Sequence, residues 1–253
     1  MIRSLKIQRK KWFNKETFAL EFHLPGINAR PGQFFQIQVS DHLEPFLNRP
    51  ISIASYNNNK LFLIIKIVGK GTKVLSTKEA GDYLTLLGPL GKGIKAKRRT
   101  SLLLAGGIGV APLYFLAQQF YKNRINFTFL YGTKTQEDMI LKWDIMRIAN
   151  ESIFITETTS VKTTSGNKKG TVVSSAKELN LRDYELAYAC GPKGMLIELQ
   201  KLNLPIPIYA FCEDFLGCGY GLCLGCAIMY NGEYKRICED GPVFELKGID
   251  FEE

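Results

Sequence analysis

The sequence predicts a β plus α/β architecture: an antiparallel β-barrel, a Rossmann-like parallel α/β domain, and a small cysteine-rich C-terminal subdomain. Three observations predict it. Residues 1–99 hold short runs rich in β-branched and aromatic residues, cut apart by turn signals. Residues 100–208 alternate apolar strand-like runs with amphipathic helical ones. Residues 209–253 concentrate four of the chain's six cysteines between Leu216 and Phe244, on a glycine-rich stretch.

The elements follow in order. SLKIQRKKWF, TFALEFHL, QFFQIQV, ISIASY, KLFLIIKIV and DYLTLLG read as six strands. Pro25-Gly26, Arg30-Pro31-Gly32, Asn57-Asn58-Asn59, Gly81-Asp82 and Gly88-Pro89 mark the turns between them. Six strands at this spacing predict a small barrel, with one helix over Thr72–Lys78. After the basic run Lys95–Arg99 the period changes. SLLLAGG, INFTFLYG, SIFITET and ELAYACG read as strands, the last of these closing the sheet. PLYFLAQQFYK, MILKWDIMRIA, VVSSAKEL and Met195–Lys201 read as helices between and after them, the pattern of a doubly wound parallel sheet. VKTTSGNKKG reads as a polar surface loop, and IPIYAF leads into the cysteine stretch.

Composition narrows the class. With 45% hydrophobic and 23% charged residues the chain is an ordinary folded protein, long enough for about two cores. The opening MIRSLKIQRKKWFNKE has no apolar run suited to a signal peptide, and no stretch suits a bilayer span. Reduced thiols in a cytoplasmic setting are therefore expected rather than three disulfides. The net charge of +9 is uneven: residues 1–99 carry 18 Lys and Arg against 6 Asp and Glu, whereas residues 209–253 carry 3 against 9. No aromatic-basic ladder or helix-turn-helix pattern accompanies the positive charge, which excludes a nucleic-acid binder and fits attraction for phosphate-bearing cofactors.

The cysteine stretch carries the most specific chemistry. Cys218, Cys223, Cys226 and Cys238 are spaced C-x4-C-x2-C-x11-C, the opening of a plant-type [2Fe–2S] ligand set. Gly217, Gly219, Gly221 and Gly225 let a loop turn tightly and aim N–H groups at sulfur. Structural zinc is the alternative, but it usually wants two C-x2-C knuckles and only one is present. Plain packing is a third reading.

The other motifs are weaker taken singly. Arg49-Pro50-Ile51-Ser52 can offer a charged fork and a hydroxyl to a pyrophosphate, or can be a barrel turn. Gly69-Lys70-Gly71-Thr72 follows the strand Ile64–Val68 and opens a short helix, a seat for an anion. Ala105-Gly106-Gly107-Ile108-Gly109-Val110-Ala111-Pro112 joins strand to helix as a dinucleotide site requires, without the regular G-x-G-x-x-G. No acidic residue ends the following strand, where Tyr131-Gly132-Thr133 stand, so a common Rossmann dehydrogenase is not expected. Cys190-Gly191-Pro192 closes the last predicted strand, where Cys190 is either a ligand neighbour or a small buried hydrophobe. Cys212 is read as packing, His23 and His42 as surface or packing residues, and Lys134 as solvated or a 2′-phosphate contact.

In this order, R-P-x-S, G-x-G-T, G-G-x-G-x-A-P, C-G-P and the four cysteines resemble the ferredoxin–NADP⁺ reductase superfamily. Within it they are most similar to the electron-transfer subunits of class 1B dihydroorotate dehydrogenases. LNRPISI, GPLGKGI, LLAGGIGVAPL and LGCGYGLCLGC…YKRICEDGPVF carry the resemblance, which spans the chain. It implies three domains: residues 1–99 a flavin-binding barrel, 100–208 an NAD-binding α/β domain and 209–253 a [2Fe–2S] subdomain. It implies that Arg49, Pro50, Ile51 and Ser52 contact FAD, that Ile64, Ile65 and Lys66 line the flavin, and that Gly71 and Thr72 hold its pyrophosphate. Gly107, Gly109 and Cys190 would border NAD, and Cys218, Cys223, Cys226 and Cys238 would hold the iron.

The implied role is an electron-transfer oxidoreductase subunit in pyrimidine (UMP) biosynthesis, with no catalytic acid or base of its own. Its implied partner is an FMN-containing dihydroorotate dehydrogenase catalytic subunit, in a heterotetramer of two of each chain, without nucleic acid or membrane. Electrons would run from FMN through the cluster and FAD to NAD⁺. The same motifs leave open a subunit of sulfide dehydrogenase, hydrogenase or transhydrogenase type, and more remotely a zinc scaffold. NAD against NADP is also left open. AIMYNGEYKRI, between the third and fourth cysteines, predicts a hairpin turning at Asn231-Gly232.

Overall fold

A computed structural model describes residues 1–40, 44–158, 161–163 and 166–251. By internal contact the chain divides into two compact units. One holds Met1–Ile94 with Glu213–Ile228 and Tyr234–Pro242; the other holds Lys95–Cys212 with Met229–Glu233 and Val243–Glu253.

The first unit is built on a closed antiparallel barrel of β1 (Ile2–Trp12), β2 (Thr17–His23), β3 (Phe34–Ile37), β4 (Arg49–Asn57), β5 (Lys60–Lys66) and β6 (Tyr83–Leu90). Their order around the barrel is β1-β2-β5-β4-β3-β6. The six predicted strands are all present, as their β-branched and aromatic residues favour, and each buries part of its length in the barrel. Phe22, Leu20 and Phe18 of β2 and Leu61, Leu63 and Ile65 of β5 are 0–1% exposed. Each such side chain contributes roughly 1.5–3 kcal/mol by its burial. Register shifts between Ile7 and Arg9, between Phe34 and Gln36, and between Ile53 and Ser55 supply the bends that closure needs. Helix α1 (Lys70–Ser76) starts two residues before the predicted Thr72, because the Thr72 side chain caps the turn at Gly69.

The second unit centres on a six-stranded sheet. Its strands are β7 (Ser101–Gly106), β8 (Phe127–Thr133), β9 (Glu151–Thr156), β12 (Leu186–Cys190), β13 (Ile208–Phe211) and β16 (Val243–Glu245). The order is β16-β13-β12-β7-β8-β9, and only β16 runs antiparallel to its neighbour. Helices α2 (Val110–Lys122) and α3 (Lys142–Ile148) pack together, as do α4 (Val172–Glu178) and α5 (Lys193–Lys201). Every residue of β7, β8 and β12 is buried, as expected of parallel strands covered on both faces. The chain proceeds from β7 outward to β8 and β9, then returns to β12 on β7's other side. The crevice between the carboxyl ends of β7 and β12 is thus the topological switch point where open α/β sheets bind ligands.

Several expectations change. The last four residues of IPIYAF form a strand of the sheet, β13, so ELAYACG is not the last one; four residues preceded by Pro205 and Pro207 give little periodicity to read. VKTTSGNKKG, expected as a loop, contains β10 (Val161–Thr163) paired with β11 (Gly166–Lys168), a hairpin that its polar composition conceals. MILKWDIMRIA is helical only from Lys142, because Leu141 sits at φ 58, a left-handed conformation that breaks the run. The predicted hairpin is present as β14 (Ala227–Tyr230) and β15 (Glu233–Arg236). Asn231 and Gly232 turn it at φ 51 and 79, the two positive values of a type I′ turn. One helical turn, α6 (Ile237–Asp240), follows, and β17 (Ile249–Asp250) pairs with Met229 and Tyr230. Among the described residues no helix is long and apolar enough to cross a membrane.

Candidate functional site

The cysteine loop belongs to the same compact unit as the barrel. Its sulfurs come as two pairs. Cys218 N–H donates to Cys223 Sγ and Cys223 N–H to Cys218 Sγ, both at 3.4 Å. Cys226 Sγ lies 3.3 Å from Cys238 Sγ, which also receives the Gly221 N–H at 3.1 Å. Cys226 and Cys238 are buried, Cys218 is half-buried and Cys223 is exposed. Burial opposes ionisation of Cys218, yet the N–H groups of Tyr220, Cys223 and Leu222, with the Cys223 thiol, outweigh it and lower its thiol to about 6. Burial, then the neighbouring Cys226, pushes the Cys238 thiol up to about 12.

The loop accepts sulfur at close quarters only because of its glycines. A Cβ at Gly217 would come within 3.1 Å of Cys223 Sγ, and Gly219 and Gly221 adopt φ 83 and 86. Among the described residues no three His, Cys, Asp or Glu side chains converge on one point fit for a metal ion. A binuclear iron–sulfur cluster takes two thiolates at each iron, and the pairs 218/223 and 226/238 suit that division. Around the loop, Phe215, Leu222 and Leu224 stand 90%, 76% and 63% exposed.

Barrel strand β3 touches this loop. Gln36 is fully buried and its Nε2 donates to the Leu216 carbonyl at 3.1 Å. Its Oε1 is buried without a hydrogen-bond partner among the described residues. Gln36 pairs across the sheet with Pro50. A buried amide oxygen beside Arg49-Pro50-Ile51-Ser52 is an acceptor suited to a ligand N–H such as a flavin ring carries. Gln36 could not be singled out from the sequence, because its contact lies 180 residues away.

The two expected phosphate motifs meet. The Arg49 guanidinium lies against Gly71, where a Cβ would collide with it, and it donates to the Leu47 carbonyl. Arg49, Pro50, Ile51 and Ser52 are all half-buried along one strand end. Thr72 is buried, with its hydroxyl accepting from Val68 and Gly69 N–H at 2.9 and 3.2 Å and donating to the Gly69 carbonyl. That hydroxyl shapes the turn, so an anion there would meet backbone N–H groups. Along β5, Ile64 and Lys66 face one side, while Ile65 points to the other and is 1% exposed. Any ligand contact at Ile65 therefore runs through its backbone.

At the sheet's switch point, Gly107 turns at φ 54 in open space. Gly109 sits so close to the Cys190 carbonyl and the Gly191 nitrogen that a side chain would overlap both. Cys190 is fully buried at the end of β12, paired in register with Ala105, so it offers the site backbone rather than sulfur. Met195, not singled out from the sequence, fills the crevice behind Gly106 and Gly191: a Cβ on either would strike its Sδ or Cε. Its position one turn after Cys190-Gly191-Pro192 was the only available signal.

The remaining candidates among the described residues take no part in these arrangements. His23 is exposed at the end of β2, and His42 lies outside the described residues. Cys212 is buried with its thiol donating to the Ala210 carbonyl, and Lys134 is exposed.

Comparisons with known proteins agree with this layout. Residues 213–250 match the family described as the iron–sulfur cluster binding domain of dihydroorotate dehydrogenase B, and residues 103–201 match the oxidoreductase NAD-binding domain. The chain is 34% identical over 251 residues, 95% of both chains, to the dihydroorotate dehydrogenase B (NAD(+)) electron transfer subunit of Lysinibacillus sphaericus. It is 35% identical over 254 residues, again 95% of both, to the subunit of that name from a Geobacillus species. Among solved structures, a chain of an NADH-dependent reduced ferredoxin–NADP oxidoreductase, studied for flavin-based electron bifurcation, superposes with a TM-score of 0.88 at 25% identity. That match covers 98% of this chain and 90% of the other. A ferredoxin NADP+ reductase from Neisseria gonorrhoeae shares the fold at a TM-score of 0.67 and 15% identity, covering 84% of this chain and 94% of the other.

Proposed function

This chain belongs to the family of dihydroorotate dehydrogenase B (NAD⁺) electron transfer subunits, and from that premise we propose how its sites divide the work. It carries electrons between a dihydroorotate-oxidising partner and NAD⁺. The observation that carries the reading is the coincidence of two sulfur pairs on the barrel unit with whole-length relatedness to these subunits.

When bound, FAD would supply hydride exchange with a nicotinamide and single-electron exchange with a [2Fe–2S] cluster, chemistry that asks no acid or base of this chain. The chain's own residues bind and orient. Arg49 offers its fork to the flavin pyrophosphate, with Gly71 leaving room for that guanidinium and Gly71 and Thr72 presenting backbone N–H. Pro50, Ile51 and Ser52 form the strand edge against the ring system, with Ile64 and Lys66 beside it, Ile65 contributing backbone and Gln36 an acceptor. Gly107 and Gly109 admit the NAD phosphates to the switch point, which Cys190 borders through its backbone. Cys218 and Cys223 would hold one iron, Cys226 and Cys238 the other.

The exposed Phe215, Leu222 and Leu224 beside the most exposed cysteine form an apolar rim of the kind a permanent partner covers. We assign that partner as the FMN-containing catalytic subunit, in a cytoplasmic heterotetramer of two of each chain. The test is reconstitution. Alone, the chain oxidises NADH with an artificial acceptor and leaves dihydroorotate untouched; with the catalytic subunit added, dihydroorotate reduces NAD⁺. A second reading draws on the 0.88 superposition with a bifurcating oxidoreductase. It places the same chain beside a different partner, and reconstitution without dihydroorotate-dependent turnover is the result that would favour it.

A further inference from the structure

Gly221, at the apex between Cys218 and Cys223, is held from both sides. Its N–H donates to Cys238 Sγ at 3.1 Å, and its carbonyl accepts from Arg236 Nη1, also at 3.1 Å. Arg236 ends β15 and opens the single turn that carries Cys238. The same Nη1 lies 2.7 Å from Glu239 Oε2, and Arg236 Nε lies 3.6 Å from Asp240 Oδ2. Asp240 is fixed in turn by the Arg236 backbone N–H at 2.8 Å and by Lys92 Nζ at 3.6 Å. Space around the apex is tight: Gly221 turns at φ 86, and a Cβ there would run into the Glu239 carboxylate.

We propose that Arg236 is a positioning residue for the cluster: its guanidinium ties the Gly221 carbonyl to Glu239 and Asp240, which holds the Gly221 N–H on Cys238 Sγ and raises the cluster's reduction potential. The physical chain is short. A hydrogen bond to a ligand sulfur stabilises the more electron-rich, reduced cluster, and such bonds are among the levers that set its potential. A planar fork with several donors can reach a carbonyl and two carboxylates at once; a lysine, a point charge on a flexible stem, cannot. The carboxylates also offset the guanidinium's charge, so its part is geometric more than electrostatic. This rests on reading the four cysteines as the cluster's ligands.

The test is a redox titration of the full chain, isolated with its cofactors, following the reduced cluster by electron paramagnetic resonance. Arg236→Gln, loaded with iron, is expected to shift the cluster's equilibrium with a mediator about tenfold toward the oxidised form, a fall of about 59 mV for one electron. Arg236→Lys keeps the charge and is expected to restore little of that shift; full restoration would make the effect electrostatic and overturn the proposal. Glu239→Gln gives an opposite-sign check in an isosteric, fold-sparing variant. Removing a negative charge alone would raise the potential, whereas loosening the brace lowers it. A lower potential supports the positioning role, and an unchanged or higher one overturns it, even if Arg236→Gln fails to load iron. A wild-type chain with no [2Fe–2S] signal would instead overturn the ligand reading beneath it.

Discussion

In the turn after β7, Gly109 is hemmed in by backbone, whereas glycines of the cysteine loop are hemmed in by sulfur and by side chains that can move. Gly109 faces the Cys190 carbonyl and the Gly191 nitrogen, fixed points of the sheet's edge. Gly217 faces Cys223 Sγ, and Gly221 faces the Glu239 carboxylate at the end of a partly exposed chain. Both stretches read as glycine-rich in sequence, but the first is a rigid crevice completed by packing. The second is a loop kept in place by ion pairs, N–H···S bonds and, when loaded, by metal. Their responses to substitution should therefore differ in kind.

The largest expected effect tests the loop. Cys223→Ser should lose essentially all iron and acid-labile sulfide while the barrel keeps FAD, with Cys212→Ser as a control that keeps its iron. Full iron in the first variant would remove Cys223 from the ligand set. Next in size is the rigid turn. Gly109→Ala forces a methyl into fixed backbone and should cost about 3 kcal/mol of stability, the upper range for overpacking. Denaturant unfolding would measure it, and a cost near zero would mean that the β7–β12 crevice yields as readily as the loop.

Arg49→Ala comes third, weakening FAD binding by roughly 1.5–3 kcal/mol, the scale of a hydrogen bond to a charged group. Titration of the apoprotein reads this, and unchanged affinity would reduce Arg49-Pro50-Ile51-Ser52 to a barrel turn. The smallest effect should come from Gly107→Ala, at about 1–2 kcal/mol. Its Cβ would meet open space, so only the positive φ is penalised. A larger loss there than at Gly109 would invert the comparison.

Much of this was legible because local rules and tertiary demands agreed. Residues 1–99 carry β-branched and aromatic runs cut by turn signals, and residues 100–208 alternate strand-like with helical runs, so both domains could be read from pattern. The cysteine spacing and the Asn231-Gly232 turn were equally local. What escaped depended on distance along the chain. Gln36 is a polar residue in an apolar strand whose purpose appears only once Leu216 lies beside it. Arg236 was not singled out from the sequence, because its contact with Gly221 is made across the folded loop. The last stretch, read as one subdomain over residues 209–253, has its contacts shared out: Glu213–Ile228 and Tyr234–Pro242 go with the barrel, Met229–Glu233 and Val243–Glu253 with the sheet. Nothing local marks that alternation, which is set by the residues each short piece packs against in the fold.

The central claim is that electrons pass between the partner and NAD⁺ by way of the cysteine loop. Dihydroorotate-dependent NAD⁺ reduction by the reconstituted complex, compared between the wild-type chain and Cys226→Ser, tests it most directly. Cys226 is buried and paired with Cys238, so its loss should remove the cluster and abolish the coupled reaction while NADH oxidation with an artificial acceptor persists through the flavin. A coupled rate that survives in a chain shown to lack iron would mean that electrons bypass the loop, and would contradict the account.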